Sequence, residues 1–397
     1  MIDANAETLR VPDHVPPELV RSSRGFDDVA SDWRNPFADT ENVFKADYPP
    51  IFFVPGYPIP IVGSTALGTW MITRHEDIRE VYQTPAIFSS HGIAGYQHLA
   101  GEDWEMLPLS VDAPLHRHYR LPLAASVSPK AVNAMDGLIR SRANSLIDNF
   151  IDRGKCEFIA EFGRPFPISI FMRLMGFPVE EMYERFLVWE KHILSGDDLT
   201  LEERGEGIKE CIAWLRGFIA ERERRPRDDL TSKIVQAQID GRPINADEKI
   251  GLVFMLFVGG LDTIVGSLSL WFPWLCAHPD YRARLIEQPE LIPGAVEELL
   301  RMNPLVSSPR TVTRDIVFRG VTMKAGDVVL LLSATSNFDE RKFTCPRTAD
   351  FERSPNPHMT LAAGPHRCLG SHLARRELQV ALETWLQRIP NFQIEDG

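Results

Sequence analysis

Residues 361–370 read LAAGPHRCLG and place Cys368 in a loop of small and constrained residues. The next segment, SHLARREL at residues 371–378, reads as the first turns of a long helix. A helix N-terminus carries partial positive charge and unpaired N–H groups, and basic residues precede the cysteine directly. We therefore expect Cys368 to ionise more readily than a free thiol. We also expect Gly364 and Gly370 to let the backbone approach a flat, bulky group.

The role of Cys368 depends on its neighbours, since most single cysteines are neither metal ligands nor nucleophiles. The surrounding pattern resembles the haem-binding signature of the cytochrome P450 family, Phe-Gly-x-Gly-x-His/Arg-x-Cys-x-Gly, at four positions: Gly364, His366, Cys368 and Gly370. Leu361 and Ala362 stand where the family has its phenylalanine and its first glycine. The resemblance implies haem b (iron protoporphyrin IX) bound by the Cys368 thiolate, with redox behaviour shifted by the aliphatic Leu361.

Composition narrows the class of protein. A chain of 397 residues with 44% hydrophobic content can bury a large core, and since no linker or repeat divides it we expect one domain over residues 1–397. The formal net charge of −12 argues against nucleic-acid binding by phosphate neutralisation. Five widely spaced cysteines suit reduced thiols. The opening residues lack a basic segment followed by an apolar one, so we expect a cytoplasmic protein without a signal peptide or membrane anchor.

Hydrophobic patterns predict a mainly α-helical protein with a smaller β-rich lobe, which we place at about residues 45–110 and 305–360. An irregular arm is expected over residues 1 to about 50. Amphipathic helices are predicted between about 129 and 240, with a loop at 195–198. The family resemblance implies that this loop joins two helices that roof a pocket. The family resemblance implies the cytochrome P450 fold, with a long central helix over the haem.

The predicted central helix runs from about residue 245 to 277, and between 250 and 277 its only charge is Asp262. We reject a transmembrane span because Asp262 and Thr263 lie at its middle beside two glycines, and helices that are apolar all round also occur inside large soluble proteins. The local sequence taken alone favours a kinked core helix, in which the Thr263 hydroxyl donates a hydrogen bond to a backbone carbonyl four residues earlier. The resemblance implies instead an acid–alcohol pair, Asp262 and Thr263, that relays protons to oxygen activated at the haem, beside a widened turn at Gly259.

Basic residues are candidates for holding the haem propionates. His116 and Arg120 are four apart and share a helix face, which taken alone favours a solvated basic surface. Arg310, taken alone, is an ordinary arginine at the end of a strand. The resemblance implies that His116, Arg120, Arg310 and His366 bind the propionates, and buried carboxylates do need fixed cationic partners.

Glu298 and Arg301 lie three apart on another predicted helix and can pair on one face. An ExxR pair is common by chance. Together with Arg353 it resembles the Glu-Arg-Arg triad that the family carries upstream of its haem loop. We assign these three residues to folding and haem retention.

Six apolar residues are candidates for the distal pocket, although each one taken alone is plain core: Trp104, Met106, Leu109, Met255, Val258 and Val306. As a set they lie in a glycine-rich loop and beside Gly259, which favours a pocket. The resemblance is closest to the soluble bacterial camphor-hydroxylase-like (CYP101-like) group, whose ketone-binding tyrosine is replaced here by Trp104. We expect a small, largely apolar terpenoid or norisoprenoid substrate, with camphor a poor fit.

The resemblance implies an oxygen-dependent monooxygenase that receives its two electrons one at a time. Since 397 residues hold no flavin or iron–sulfur domain, we expect a separate 2Fe–2S ferredoxin with an NADH-dependent reductase, docked on Arg117, Arg120 and Arg367. A peroxide-using peroxygenase is one alternative, although such enzymes tend to lack the acid–alcohol pair. A non-catalytic haem sensor or ligand carrier is another. We expect a monomer with no nucleic-acid or membrane partner.

Overall fold

We describe the protein from a computed structural model, which describes residues 10–21, 49–57, 67–195 and 198–395. Most of the predicted N-terminal arm lies outside these residues, and so does the centre of the predicted loop at 195–198. Within the described part of the chain, helices dominate and a small sheet packs at one side. The prediction of a mainly α-helical protein with a smaller β-rich lobe is therefore confirmed.

The helices follow one another through most of the chain. In order they are α1 (His75–Gln83), α2 (Leu115–Ala124), α3 (Pro129–Ala134), α4 (Asp136–Asp148), α5 (Pro165–Met175), α6 (Val179–Glu190), α7 (Leu201–Arg224), α8 (Leu230–Val235), α9 (Ala246–Leu261), α10 (Thr263–Ala277), α11 (Pro279–Glu287), α12 (Ile292–Met302), α13 (Ser333–Ser336) and α14 (Ser371–Arg388). Two single π-helical turns, Ile159–Gly163 and Lys191–Ser195, precede α5 and follow α6.

The strands form one five-stranded sheet and two hairpins. They are β1 (Ile51–Pro55), β2 (Gly68–Ile72), β3 (Phe88–Ser89), β4 (Gln238–Ile239), β5 (Arg242–Pro243), β6 (Ser308–Val312), β7 (Ile316–Phe318), β8 (Val321–Met323) and β9 (Val328–Leu331). The sheet order is β1-β2-β9-β6-β3, with β2 and β9 parallel and the other pairs antiparallel. All five strands of this sheet fall inside the two ranges predicted for the β-rich lobe.

The central helix begins where the sequence predicts. The Asn245 side chain accepts from the backbone N–H of Glu248, and the Glu248 carboxylate accepts from the N–H of Asn245, so the two residues form a capping box. The helix is not continuous, however. It breaks at Asp262, which separates α9 from α10. The expected single helix is therefore two helices end to end, joined at the predicted acid.

Hydrophobic packing places this helix pair at the centre of the protein. Phe254 and Phe257 of α9 belong to one apolar cluster with α5, α6 and α7, whereas Leu268 and Trp271 of α10 belong to a second cluster with α4, α12 and α14. Residues Ala246–Ala277 are long and apolar enough to cross a membrane, but 61% of the relevant window is buried inside the protein. Burial on this scale is what a core helix requires.

Candidate active site

The loop before α14 is closed by backbone hydrogen bonds. The N–H of Cys368 donates to the carbonyl of Leu361 at 2.9 Å, and the N–H of Ala362 donates to the carbonyl of Met359 at 2.8 Å. Gly364 has φ +67°, and a Cβ there would lie 2.3 Å from the Tyr82 carbonyl oxygen. Gly364 is therefore required for packing on α1, while the space beside Gly370 is open.

The thiol of Cys368 does not ionise as easily as its position before a helix predicts. Its side chain has accessible surface, yet it sits among protein atoms, and this burial raises the pKa of the thiol above its ordinary value. A backbone hydrogen bond from Gly370 and the charges of Arg120, Arg375 and Arg367 oppose the effect without reversing it. The pKa of the free thiol therefore lies above its ordinary value and not below it, because lost hydration outweighs the helix terminus and the arginines.

Four basic side chains from three parts of the fold converge near this loop. His116 and Arg120 come from α2, Arg310 from β6 opposite Val329, and His366 from the cysteine loop. The rings of His116 and His366 lie 4.0 Å apart between centroids. The Arg310 guanidinium is buried over the Tyr82 ring, and Arg120 donates to the Arg367 carbonyl.

This basic cluster lacks matching negative charge. Among the described residues, neither Arg120 nor Arg310 forms an ion pair, and the nearest carboxylate, Asp112, lies 3.8 Å from Nε2 of His366. The Nε2 atoms of His116 and His366 are buried without a hydrogen-bond partner. Burial and the neighbouring cations lower the pKa of His366 to about 3 and also lower the pKa of His116. Two arginine charges and two neutral imidazoles therefore face a space that suits an anion with more than one carboxylate.

The break between α9 and α10 lies in the interior but has accessible side chains. Asp262 and Thr263 are both exposed there, while Leu261 and Ile264 on either side are buried. The Thr263 hydroxyl makes no hydrogen bond with any described residue, so the alternative in which it bonds back to a carbonyl is not observed. The Asp262 carbonyl accepts from the N–H of Gly266 at 2.8 Å. The Thr263 hydroxyl is consequently free to act on a bound group, and Asp262 has accessible surface beside it.

Gly259 and Gly260, which precede the break, have different surroundings. A Cβ on Gly260 would lie 2.4 Å from Cδ2 of Phe171, so this glycine lets α5 pack closely against α9. A Cβ on Gly259 would meet only the Cε of Met255, at 3.5 Å. Gly259 therefore faces open space beside Asp262, where a ligand has room.

The six predicted pocket residues separate into two groups. Leu109 and Met255 are half-buried and Val306 is exposed, so these three have surface to offer a ligand. Trp104, Met106 and Val258 instead lie in the core, with Met106 fully buried.

The indole of Trp104 packs on Phe254, and its N–H donates to Glu102 at 2.8 Å. This position differs from the one expected for a residue of the pocket wall. The ring packs against Phe254 in the core, and Glu102 accepts the hydrogen bond of the indole N–H. Trp104 in this arrangement has no hydrogen bond to give a substrate.

Glu298 organises the loop upstream of the cysteine. Arg301 donates to both Glu298 oxygens at 2.8 Å, and Arg353 donates to both at 3.1 Å. The N–H of Asp350 and the Asn356 amide also donate to Glu298, each at 3.0 Å. Glu298 and Arg301 are fully buried. The three predicted structural residues are thus together, and they tie α12 to the segment that leads into the cysteine loop.

A basic cavity of about 980 Å³ adjoins the cysteine loop at residues 362–364. Its cationic lining comprises Arg79, Arg341, Lys342, Arg353, Arg367 and Arg375. Arg367 and Arg117 are exposed, whereas Arg120 is half-buried and points to the loop. Of the three arginines expected to dock a partner, Arg120 therefore belongs to the basic cluster with His116, Arg310 and His366.

Sequence reasoning missed Glu190, the last residue of α6. It is 5% exposed, and burial together with the charge of Asp262 raises the pKa of its carboxyl group to about 7. One signal was available, since Glu190 occupies an apolar position of its helix, on the face of Phe186, Trp189 and Ile193. A carboxyl group at such a position requires a polar partner elsewhere in the fold.

Comparisons with known proteins find relatives that match most of the chain. A family model described as Cytochrome P450 matches residues 193–395. Probable cytochrome P450 127A1 of Sinorhizobium fredii (strain NBRC 101917 / NGR234) is 34% identical, over 98% of this chain and 93% of the relative. Mycinamicin IV hydroxylase/epoxidase of Micromonospora griseorubida is 32% identical, over 82% of this chain and 83% of the relative.

Solved structures give the same result for the fold. The crystal structure of CYP101J2 has a TM-score of 0.82 and 30% identity, covering 97% of this chain and 93% of that one. The crystal structure of CYP101C1 also has a TM-score of 0.82, with 29% identity, covering 98% and 94%.

Proposed function

The chain belongs to the cytochrome P450 family, and from this premise we propose that it hydroxylates a small apolar substrate, a terpenoid or norisoprenoid, with dioxygen and two electrons from a ferredoxin. The family and its CYP101-like neighbours establish a haem-containing oxidoreductase of the monooxygenase class. The observation that carries our proposal for this chain is the basic cluster beside Cys368, with its two unpartnered imidazole nitrogens. We further propose a cytoplasmic monomer.

The residues present fit the family's cofactor. Haem b with a cysteine thiolate ligand supplies dioxygen activation when it is bound. In our proposal Cys368 ligates it, Leu361 lies half-buried in the same loop, and Gly259 has open space beside it. His116, Arg120, Arg310 and His366 would hold the propionates, since this cluster is short of exactly the negative charge that two carboxylates bring. Glu298, Arg301 and Arg353 would keep the loop in place.

Asp262 and Thr263 are the proposed proton-handling pair. They are adjacent, exposed in the interior, and free of competing ion pairs and, for Thr263, of hydrogen bonds within the described chain. In our proposal the Asp262 carboxyl group supplies a proton and the Thr263 hydroxyl passes it on. Replacing Thr263 by alanine should leave NADH consumption but divert it from product to peroxide, whereas Thr263→Ser should retain coupling. Unchanged coupling in Thr263→Ala would contradict the assignment.

The proposed substrate class rests on the apolar character of the site. Leu109, Met255 and Val306 are the accessible apolar side chains of the predicted set, and Trp104 offers no free donor for a ketone. We keep Met106 and Val258 as proposed pocket residues, although their side chains are buried. Terpenoid or ionone-like compounds should therefore shift the haem spin state at lower concentration than camphor does. Tighter binding of camphor would contradict this substrate class.

The proposed electron donor is a 2Fe–2S ferredoxin reduced by an NADH-dependent reductase. Support comes from the exposed side chains of Arg117 and Arg367, two of the three arginines proposed for the dock, of which Arg367 lies in the cysteine loop. Turnover should fall as ionic strength rises, because salt screens attraction between exposed charges. Salt-independent turnover would contradict an electrostatic dock.

One experiment distinguishes this proposal from its alternatives. The purified protein, loaded with haem, is assayed for NADH consumption and product formation with a ferredoxin, its reductase and a panel of apolar substrates. A monooxygenase requires all of these components and oxygen. A peroxygenase would form product from peroxide alone, and a haem sensor or ligand carrier would form none.

A further inference from the structure

Asn337 is a fully buried polar residue, directly after α13, that the proposed mechanism has not used. Its amide nitrogen donates to the carbonyl of Arg301 at 3.0 Å and to the Thr360 hydroxyl at 2.9 Å. Its amide oxygen accepts from the backbone N–H of Met359 at 2.7 Å. One side chain therefore makes three hydrogen bonds, which join the end of α12 to the two residues directly before the cysteine loop.

These hydrogen bonds also fix the orientation of the amide. The N–H of Met359 can only donate, so it requires the amide oxygen, and the Arg301 carbonyl can only accept, so it requires the amide nitrogen. Each bond that is lost would leave a buried polar group unpaired, which is costly. Asn337 is therefore held in one orientation between α12 and the chain that leads to the cysteine.

The backbone of Asn337 is bonded to the buried triad as well. Nη1 of Arg301 donates to the Asn337 carbonyl at 2.8 Å, so the two residues bond to each other in both directions. The same guanidinium donates to both oxygens of Glu298. The Thr360 hydroxyl donates in turn to the Leu300 carbonyl at 2.6 Å. The buried ion pair of α12 is thereby connected to Thr360.

From Met359 the hydrogen bonds continue to the cysteine. The Met359 carbonyl accepts from the N–H of Ala362 at 2.8 Å, which closes a turn. Within this turn, the Leu361 carbonyl accepts from the N–H of Cys368 at 2.9 Å. Since Asn337 anchors the first residue of the turn, a shift at Met359 would move the carbonyl that holds the backbone of Cys368.

We propose that Asn337 is a positioning residue for Cys368, and that it connects the buried Glu298–Arg301 pair to the turn that holds the cysteine. The proposal rests on the proposed ligation of haem by Cys368 and deepens it, because it names the route by which the triad acts on the ligand. Residues that orient a metal ligand from behind decide how well it binds. Without this anchor the loop should move, and part of the protein should bind haem without the thiolate.

Two buried asparagines beside α12 provide matched variants. Asn337→Leu keeps the approximate size of the side chain and removes its three hydrogen bonds. Asn303→Leu is the control, since Asn303 is 4% exposed and its amide, among the described residues, donates only to the Leu299 carbonyl of its own helix. Thr360→Val is a milder variant that removes one partner of the Asn337 amide. A merely structural role predicts equal effects of the two leucine variants.

The first readout is hydrogen–deuterium exchange of the haem-loaded protein, measured in peptides that cover residues 359–368. Exchange there should be about tenfold faster in Asn337→Leu, because losing a buried hydrogen bond lowers the free energy of local opening. Thr360→Val should shift exchange in the same direction by less, and Asn303→Leu should leave this segment at the wild-type rate.

Wild-type exchange of residues 359–368 in Asn337→Leu, or equal acceleration in Asn303→Leu, would overturn the proposal. If Asn337→Leu does not fold, Thr360→Val decides alone, and wild-type exchange in that variant would overturn the proposal too.

The second readout is the carbon-monoxide difference spectrum of the reduced protein at equal haem content. The share of thiolate-ligated haem should fall in Asn337→Leu and stay at the wild-type value in Asn303→Leu. An unchanged share in Asn337→Leu would contradict the positioning role and leave the monooxygenase proposal intact. A wild-type protein without thiolate-ligated haem would contradict the proposed function, and the exchange rates would still report on the anchor.

Discussion

The Cys368 side chain is accessible, while burial among protein atoms raises the pKa of its thiol. The thiolate is the form of cysteine that binds metal ions. Coordination to a metal ion deprotonates the sulfur, so a raised pKa of the free thiol does not prevent ligation. In our proposal the porphyrin of haem supplies the other ligands of the iron that Cys368 binds.

Ala362 carries a measurable strain. It has φ +56° at the position where the family has glycine, and an alanine in this left-handed region costs about 1 kcal/mol. Ala362→Gly should therefore raise the free energy of unfolding by about 1 kcal/mol, measured by urea denaturation. Ala363→Gly, at a residue without positive φ, is the control and should lower stability slightly. Equal destabilisation by both substitutions would contradict the strain.

At the scale of the element, the break at Asp262 exposes two polar side chains in the middle of the apolar central helix. A continuous helix would point Asp262 and Thr263 into fixed hydrogen bonds or into the core. The break leaves their side chains accessible between two buried helices. Thus α9 and α10 supply the packing, and in our proposal Asp262 between them handles protons.

The paired glycines of α9 allow a test of helix packing. Gly260→Ala should destabilise the protein by about 1–3 kcal/mol, because its Cβ would lie 2.4 Å from the Phe171 ring. Gly259→Ala adds the same methyl group one residue away, where only Met255 approaches, and should fold as well as wild type or better. Thermal and urea unfolding measure both. Greater loss in Gly259→Ala would mean that the packing of α5 on α9 is not as described.

The ion pairs of Glu298, which tie α12 to the segment before the cysteine loop, should be sensitive to substitution because they are buried. Replacing Arg301 by leucine would leave the buried Glu298 without its main partner and should cost about 3–5 kcal/mol, with loss of bound haem. Arg284→Gln is the control, since Arg284 pairs with Glu352 at the surface and should change stability by less than about 1 kcal/mol. Similar unfolding midpoints for the two variants would refute the role of the triad.

At the scale of the whole molecule, Glu190 links stability to pH. Its pKa is 4.5 in an unfolded chain and about 7 in the fold, so between these pH values the native state binds more protons than the unfolded state. The free energy of unfolding contributed by Glu190 is therefore highest below pH 4.5 and falls by up to about 3 kcal/mol as pH rises to 7. The stability difference between wild type and Glu190→Gln should follow this curve in urea titrations. A difference independent of pH would contradict the burial of an ionisable group there.

Local patterns were enough to predict much of the fold and part of the site. Some features depend only on residues that are close together in the sequence, so the sequence alone predicts them. These are the cysteine loop, the Glu298–Arg301 pair and the capped start of α9. The raised pKa of Cys368 could not be predicted in this way, because dehydration depends on atoms that the fold brings from elsewhere. The effect of the Asp262 charge on Glu190 also depends on elements far apart in the chain. The core position of Trp104 depends on its packing against Phe254.

The central claim is that the Cys368 sulfur ligates haem iron. The most direct test is the carbon-monoxide difference spectrum of the reduced, haem-loaded protein, compared with that of Cys368→Ser. The account predicts the long-wavelength absorption band of thiolate-ligated haem in wild type and its loss in Cys368→Ser, with the fold retained by circular dichroism. A wild-type spectrum typical of nitrogen ligation, or a thiolate band that survives in Cys368→Ser, would contradict it.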